Sequence, residues 1–249
     1  MKIRYLLLCL IVFNIFLLNI NKIYAKNIDS QSSNLENIKN NDIGNLTNDK
    51  KLVLNFPKSQ DILYNFSVNG IPTKEGIISW KFDGKNYKVK FFTNVIFLGD
   101  ILLQSDGVLI NNELTPIKYV NIRGKKKFIT DFDLKNKKIN FSKNNLYIAM
   151  PNDIKDFSSV AFQMIAIMRT TPPILNQKYM FNVTNDDEVQ KWTIQYIGKE
   201  NNKWHFVRLA RDKNDNRKIE WWLDPQNGWL IDKFKQTEPN GLRLEFNKK

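Results

Sequence analysis

Glu220 and Asp224 stand on either side of Trp222, with Asp212 and Asp215 a few residues upstream. Two carboxylates beside an aromatic ring are the equipment of glycoside cleavage, one serving as acid and the other as base or nucleophile. The same spacing has a plainer reading. If 218–224 is a strand, Glu220, Trp222 and Asp224 share its solvated face, and Ile219, Trp221 and Leu223 face the core. His205, the one histidine of the chain, lies between Trp204 and Phe206 in another predicted strand and shares a face with Val207 and Leu209. Its type suits a general base, but its setting is that of a structural side chain. Asp186, Asp187 and Glu188 form a short acidic cluster in a predicted turn, without the ligand spacing of a calcium loop. No serine sits in a nucleophile elbow, and there is no glycine loop for phosphate. One histidine and one cysteine, Cys9, cannot build a zinc site. The expectation is a protein with no catalytic residue, no metal and no cofactor, which does not act as an enzyme.

A different chemistry is carried by apolar side chains. Phe157, Met164 and Met168 fall on one stripe of a predicted helix and would face Trp80 and Phe91 from a sheet. Methionine adapts its shape to varied neighbours, and small barrels hold one small ligand. These five residues are the candidate lining of a site for an apolar ligand. The competing reading is that they fill a core.

The elements that must position them are mostly strands. Ile62, Tyr64, Phe66 and Val68 alternate with Leu63, Asn65, Ser67 and Asn69. Ile78, Trp80 and Phe82 form a second stripe closed by Asp83-Gly84, and Tyr87, Val89 and Phe91 a third. Asp-Gly between alternating runs predicts a hairpin, because the turn needs residues that tolerate positive φ. A long apolar strand is predicted from Val95 to Leu103, with a bulge at Gly99. Asp106-Gly107 is predicted to turn the chain into a strand at 108–114. Further strands are expected at 117–123, 126–133, 137–142 and 146–150, and then at 179–184, 190–197, 203–211, 218–224, 228–236 and 241–246. Between the two groups, Phe157, Val160, Ala161, Met164, Ile165 and Met168 have helical spacing. Asp156 is the expected N-cap and Pro172-Pro173 the stop.

A dozen or so antiparallel strands around one helix predict an all-β protein. Its strongly curved sheet would form an open or closed barrel, with the amphipathic helix at the concave side. A two-layer sandwich is the alternative.

The order of these features resembles the bacterial exported proteins grouped as domain of unknown function 3108. The matching residues run from Leu63-Tyr64 through Gly76, Trp80, Asp83-Gly84 and Tyr87 to Ser105-Asp106-Gly107 and Leu114-Thr115-Pro116. Phe132-Asp133 and Ile139-Asn140-Phe141 follow. The helix shows Asp156, Ser159 and Gln163 in a D-x-x-S-x-x-x-Q pattern, and Trp222-Leu223 and Gly241 come near the end. Trp229-Leu230 lack the proline expected after that leucine. The resemblance covers about three quarters of the chain and implies export and a β-rich fold, but no activity. At the level of fold it also suggests the half-barrels of periplasmic lipoprotein carriers.

The amino terminus supports export. Lys2 and Arg4 precede a nearly unbroken apolar run from Tyr5 to Leu18, and Ile23-Tyr24-Ala25 ends with a small residue. That layout predicts a signal peptide over 1–25, shorter than the about 20 apolar residues of a membrane span. Because Ile23 fits the cleavage pattern poorly, the alternative is an uncleaved leader anchored in the inner membrane. Residues 26–50, polar and rich in Asn and Ser, are predicted to be a disordered linker, with one β domain over 51–249. Cys9 lies inside the leader, so cleavage would leave no thiol and no disulfide.

The chain carries a net charge of +13, from 31 Lys, 7 Arg and 25 acidic residues. Its basic residues are scattered, and Arg, the better phosphate ligand, is scarce. This composition and the leader argue against nucleic acid as a partner. The function expected is binding of a lipid or another amphiphile at the cell envelope. The alternatives are an envelope scaffold working through protein contacts, or a glycan hydrolase using Glu220 and Asp224.

Overall fold

The computed structural model describes residues 53–95 and 99–249. The predicted leader and linker lie outside the described residues. Among the described residues sixteen strands and one α-helix follow in the order β1 (Gln60–Val68), β2 (Ile71–Pro72), β3 (Gly76–Phe82), β4 (Asn86–Val95), β5 (Gly99–Ile110), β6 (Glu113–Arg123), β7 (Lys126–Asp133), β8 (Lys138–Phe141), β9 (Leu146–Ala149), β10 (Ile154–Asp156), α1 (Ser159–Thr170), β11 (Lys178–Thr184), β12 (Val189–Glu200), β13 (Lys203–Arg208), β14 (Lys218–Asp224), β15 (Leu230–Thr237) and β16 (Arg243–Lys248). Among the described residues no helix is long and apolar enough to cross a membrane.

All strands belong to one sheet. Its ladder runs β10-β11-β12-β13-β14-β15-β16-β1-β3-β4-β5-β6-β7-β8-β9, with β2 beside β1. Every pairing is antiparallel except β10 with β11. The sheet is one layer wrapped around α1, an open barrel rather than a sandwich. The ladder ends at β10 on one side and β9 on the other. Side chains of the β11–β12 turn bridge towards β6 and the β8–β9 turn instead. Asp186 accepts from Asn121 Nδ2 at 2.6 Å and pairs with Arg123, while Asp187 pairs with Lys143 and its carbonyl accepts from Asn144. The acidic cluster of 186–188 thus helps to hold the barrel together.

The first and last strands meet in the middle of the ladder. β1 pairs with β16 through Phe66↔Phe246 and Tyr64↔Lys248. The Phe66 and Phe246 rings stack at 4.7 Å. The main apolar cluster therefore draws on both halves of the sequence. Ile62, Tyr64, Trp80 and Val89 come from one half and Trp192, Ile194, Phe206 and Trp221 from the other, with Phe162, Met164, Ile165 and Met168 of α1 between them. Burying each such side chain is worth roughly 1.5–3 kcal/mol, so the helix stripe adds to the β1–β16 pairing that joins the two halves.

Three sequence expectations need correction. Val95 pairs with Gly99, so the expected strand from Val95 to Leu103 is the end of β4 and the start of β5. Asp106-Gly107 do not turn the chain. They lie inside β5 at a register shift opposite β6, and Gly107 is needed because a Cβ there would lie 2.5 Å from the Tyr87 ring and 2.4 Å from Thr115 O. The turn is at Asn111-Asn112, with φ of 51° and 68°, between Ile110 and its partner Glu113. Asn201-Asn202 do the same between Glu200 and Lys203. Seven of the ten non-glycine residues with positive φ among the described residues are asparagines. At 69, 111, 112, 145, 201 and 202 asparagine thus supplies the left-handed residues that hairpin turns demand.

The third correction concerns the helix start. Asp156 ends β10, and α1 begins at Ser159 with Ser158 as its N-cap residue. The Asp156 carboxylate still serves the helix end, accepting from the backbone N–H of Ser158 and of Ser159 at 2.8 Å each. Ser159 Oγ in turn accepts from Asp156 N at 2.8 Å, a reciprocal cap set two residues early.

Candidate functional site

The concave face of the sheet and the inner stripe of α1 enclose the candidate site. Ala161 is the small residue of that stripe, and a space opens around it. A cavity of about 70 Å³ is lined by Tyr64, Phe91, Leu103, Ala161, Trp221, Phe234 and Phe246, among others. A second, of about 10 Å³, lies between Ala161, Met164, Ile194, Phe206, Trp221 and Leu223. Ala161 and Trp221 border both. The one hydroxyl in this lining, Tyr64 OH, donates to Ile231 O at 2.8 Å, so burial leaves it satisfied and its phenol is held well above the usual range.

The five candidate lining residues separate in space. Phe91 lines the larger cavity and Met164 the smaller. Phe157, half-buried, packs edge-on against Trp192 and Phe234. Trp80 and Met168 are completely buried and border neither cavity. Trp80 stacks on Phe162 at 4.3 Å and donates from Nε1 to Pro57 O at 2.9 Å. The residues that sequence reasoning missed are Tyr64, Ala161, Trp221, Phe234 and Phe246. The alternation of β1 marked Tyr64 as inward, and Ala161 lay on the helical stripe. The other three come from late strands, whose placement beside β1 has no local signal.

A polar lattice fixes the helix against the sheet. Tyr87 OH and Ser105 Oγ lie 3.1 Å apart, and Ser105 Oγ donates to Asp156 Oδ2. Gln163, fully buried, accepts from Leu114 N at 2.8 Å and donates from Nε2 to Asn112 O at 3.1 Å. The D-x-x-S-x-x-x-Q residues Asp156, Ser159 and Gln163 thus attach α1 to β5 and to the β5–β6 hairpin. Burial pushes the Asp156 carboxyl up to about 6, against the opposing effect of the bonds it accepts from Ser105, Ser159 and Ser158. Burial also holds the Tyr87 phenol well above its usual range. Next to Asp156, the completely buried Lys155 pairs with Glu113 at 2.6 Å. At the other end of α1, Arg169 donates to Asn55 O and Gly228 O.

The carboxylates around Trp222 are all engaged. His205 stacks on Trp222 at 4.0 Å, with Nε2 3.1 Å from Glu220 Oε2. Trp222 Nε1 donates to Glu200 at 2.8 Å, and Lys233 lies over the indole. Asp224 pairs with Lys203 at 2.6 Å and accepts from Gln226 N. Burial lowers the His205 imidazole, with Glu220 opposing. Ile219, Trp221 and Leu223 are core, on the opposite face, but Trp222 and Asp224 are buried too, so the face expected to be solvated is covered by these contacts. Asp215, whose burial would raise it, is held well below the carboxylate range by Arg208 and Arg211. It ties the 209–217 loop to Arg208, which is itself buried. Among the described residues no group of three or more His, Cys, Asp or Glu is placed to hold a metal ion.

Residues 63–247 match the family described as "Protein of unknown function (DUF3108)". A crystal structure of a beta-barrel-like protein of domain of unknown function DUF1849 from Brucella abortus is similar with a TM-score of 0.49 and 10% identity, over 77% of this chain and 96% of that one. No curated protein matches the chain.

Proposed function

Since the chain belongs to the DUF3108 family of proteins of unknown function, its role has to be read from its own interior, and we propose that it is a non-enzymatic module that binds a lipid or another amphiphile at the cell envelope. The observation that carries this reading is the apolar cavity at Ala161, bordered by a helix on one side and by strands from both halves of the chain on the other. An alkyl chain entering it meets mainly aromatic and aliphatic carbon, and the one hydroxyl of the lining, that of Tyr64, is already bonded to Ile231 O. At about 70 Å³ the space is below the roughly 300–1,000 Å³ of sites for drug-sized ligands. It admits the tip of such a chain, and deeper entry requires α1 to move away from the sheet. The two cavities share Ala161 and Trp221, so that movement joins them. The location outside the cytoplasm is argued from the leader-like residues 1–25.

The test is native mass spectrometry, with lipid extraction, of the full chain purified from the envelope. It is run beside Ala161→Leu, which fills the cavity without adding charge. The expected result is a discrete added mass on the natural chain and its loss in the variant. A bare natural chain, or equal occupancy in both, overturns the proposal.

A further inference from the structure

Antiparallel pairing gathers one set of strand ends. The starts of β1, β4, β6, β13 and β15 and the ends of β3, β5, β12 and β14 all lie at one end of the barrel. The helix α1 crosses that end. Gln163 bonds to Asn112 O and Leu114 N of the β5–β6 hairpin. Arg169 donates from Nη1 to Gly228 O, in the connection between β14 and β15, at 2.8 Å.

The two attachments are unequal. Asp156, Ser159 and Gln163, which hold the first half of α1, are fully buried. Breaking their bonds strands polar groups away from water. At the Arg169 end the partners are a strap of residues 55–57, just ahead of β1. Asn55 O accepts from Arg169 Nε and Asn55 N donates to Thr170 Oγ1, both at 3.0 Å and both exposed, so water can replace either bond at little net cost. The strap itself is fixed to β3. Pro57 O accepts from Trp80 Nε1 at 2.9 Å, and the Phe56 ring lies 5.0 Å from Phe82. Gly228 is a built receptor for Arg169. It and Trp229 both have φ of 63°, a conformation that a bulky residue adopts only under constraint, and Trp229 N is tied to Asp224 O at 2.7 Å. A Cβ at Gly228 would lie 2.7 Å from Arg169 Nη1.

Behind the latch the inner stripe of α1 runs back from Met168, completely buried, to Met164 on the smaller cavity and Ala161 on both. Lifting the Arg169 end therefore uncovers the methionines before Ala161. We propose that α1 is a lid over this end of the barrel, hinged at Asp156 and Gln163 and latched by Arg169 and the 55–57 strap, and that it opens from the Arg169 end to admit an alkyl chain past Met168 and Met164. What passes the lid rests on the binding role proposed above, whereas the opening rests on the unequal attachments alone.

Residue-resolved hydrogen exchange of the full chain tests the hinge. It is run beside the double variant Arg169→Ala, Thr170→Val, which removes the latch and leaves the buried bonds in place. The amides of Met168 to Thr171 are expected to exchange roughly tenfold or more faster in the variant, while those of Gln163 to Ile165 keep their rates within about twofold. Unchanged rates at the latch end, or equal acceleration at both ends, overturns the proposal. Stopped-flow uptake of cis-parinaric acid, a fluorescent fatty acid, then tests the entrance, and the variant is expected to take it up faster by a similar factor. Equal uptake rates beside a faster-exchanging latch end overturn the lid as the entrance. If neither protein takes up the acid while the exchange result holds, the binding role fails and the hinged opening stands.

Discussion

Asp156→Asn separates the cost of a buried charge from the value of the bonds around it. The carboxyl has an ordinary value of 3.8 and is pushed up to about 6 in the folded chain. A carboxyl raised by folding contributes stability that is fully present below pH 3.8 and is lost as pH rises through about 6. The shift of about two units corresponds to about 3 kcal/mol. Asparagine keeps the acceptor for Ser158 N and Ser159 N. Its Nδ2 donates to Ser105 Oγ, which then turns its own proton towards Tyr87 OH, so the chain of hydrogen bonds reverses without breaking. The natural protein should therefore lose about 3 kcal/mol relative to the variant between pH 4 and pH 7. Urea unfolding followed by tryptophan fluorescence, at several pH values for both proteins, measures the difference and cancels the other titrating groups. A difference that is flat across this window would refute the argument that Asp156 is ionised in a dry interior at neutral pH.

Gln163→Ala leaves Leu114 N–H buried without its acceptor and should cost about 1–3 kcal/mol in the same assay; a loss below about 0.5 kcal/mol would mean that the side chain does not anchor the helix. Asp215→Ala strands the buried Arg208 guanidinium and should destabilise by about 3–5 kcal/mol, with proteolysis reporting release of the 209–217 loop; an unchanged cleavage pattern would count against its role as a tie. Ala161→Leu should raise stability by up to about 1.7 kcal/mol if its methyls occupy the 70 Å³ space, at about 24 cal/mol per Å³ of cavity, and thermal unfolding reads the sign.

Local sequence was enough for the elements and for the inward faces. Ile62, Tyr64 and Phe66 alternate because one side of β1 is core. The stripe from Val160 to Met168 is apolar because α1 is wrapped by sheet. Asp83 closes its hairpin by accepting from Lys85 N and Asn86 N, as a turn aspartate does wherever it occurs. Even the family pattern on the helix was legible as a pattern, although its purpose was not.

What the tertiary structure alone decided is where those faces meet. Asp-Gly at 106–107 and Asn-Asn at 111–112 are both turn signals, but the first is paired on both sides, with β4 and β6, where Tyr87 and Thr115 O leave room only for glycine. Asp156 could cap a helix anywhere. It became a buried charge beside Ser105 and Tyr87 because β5, distant in sequence, lies across the helix end. Phe234 and Phe246 border the same cavity as Tyr64 and Phe91 because β16 pairs with β1. Nothing local encodes that pairing, since a strand's hydrogen bonds are the same whichever partner completes them. The partner is selected by the shape and volume of the side chains that must fill the space around Ala161, a property of the whole folded chain.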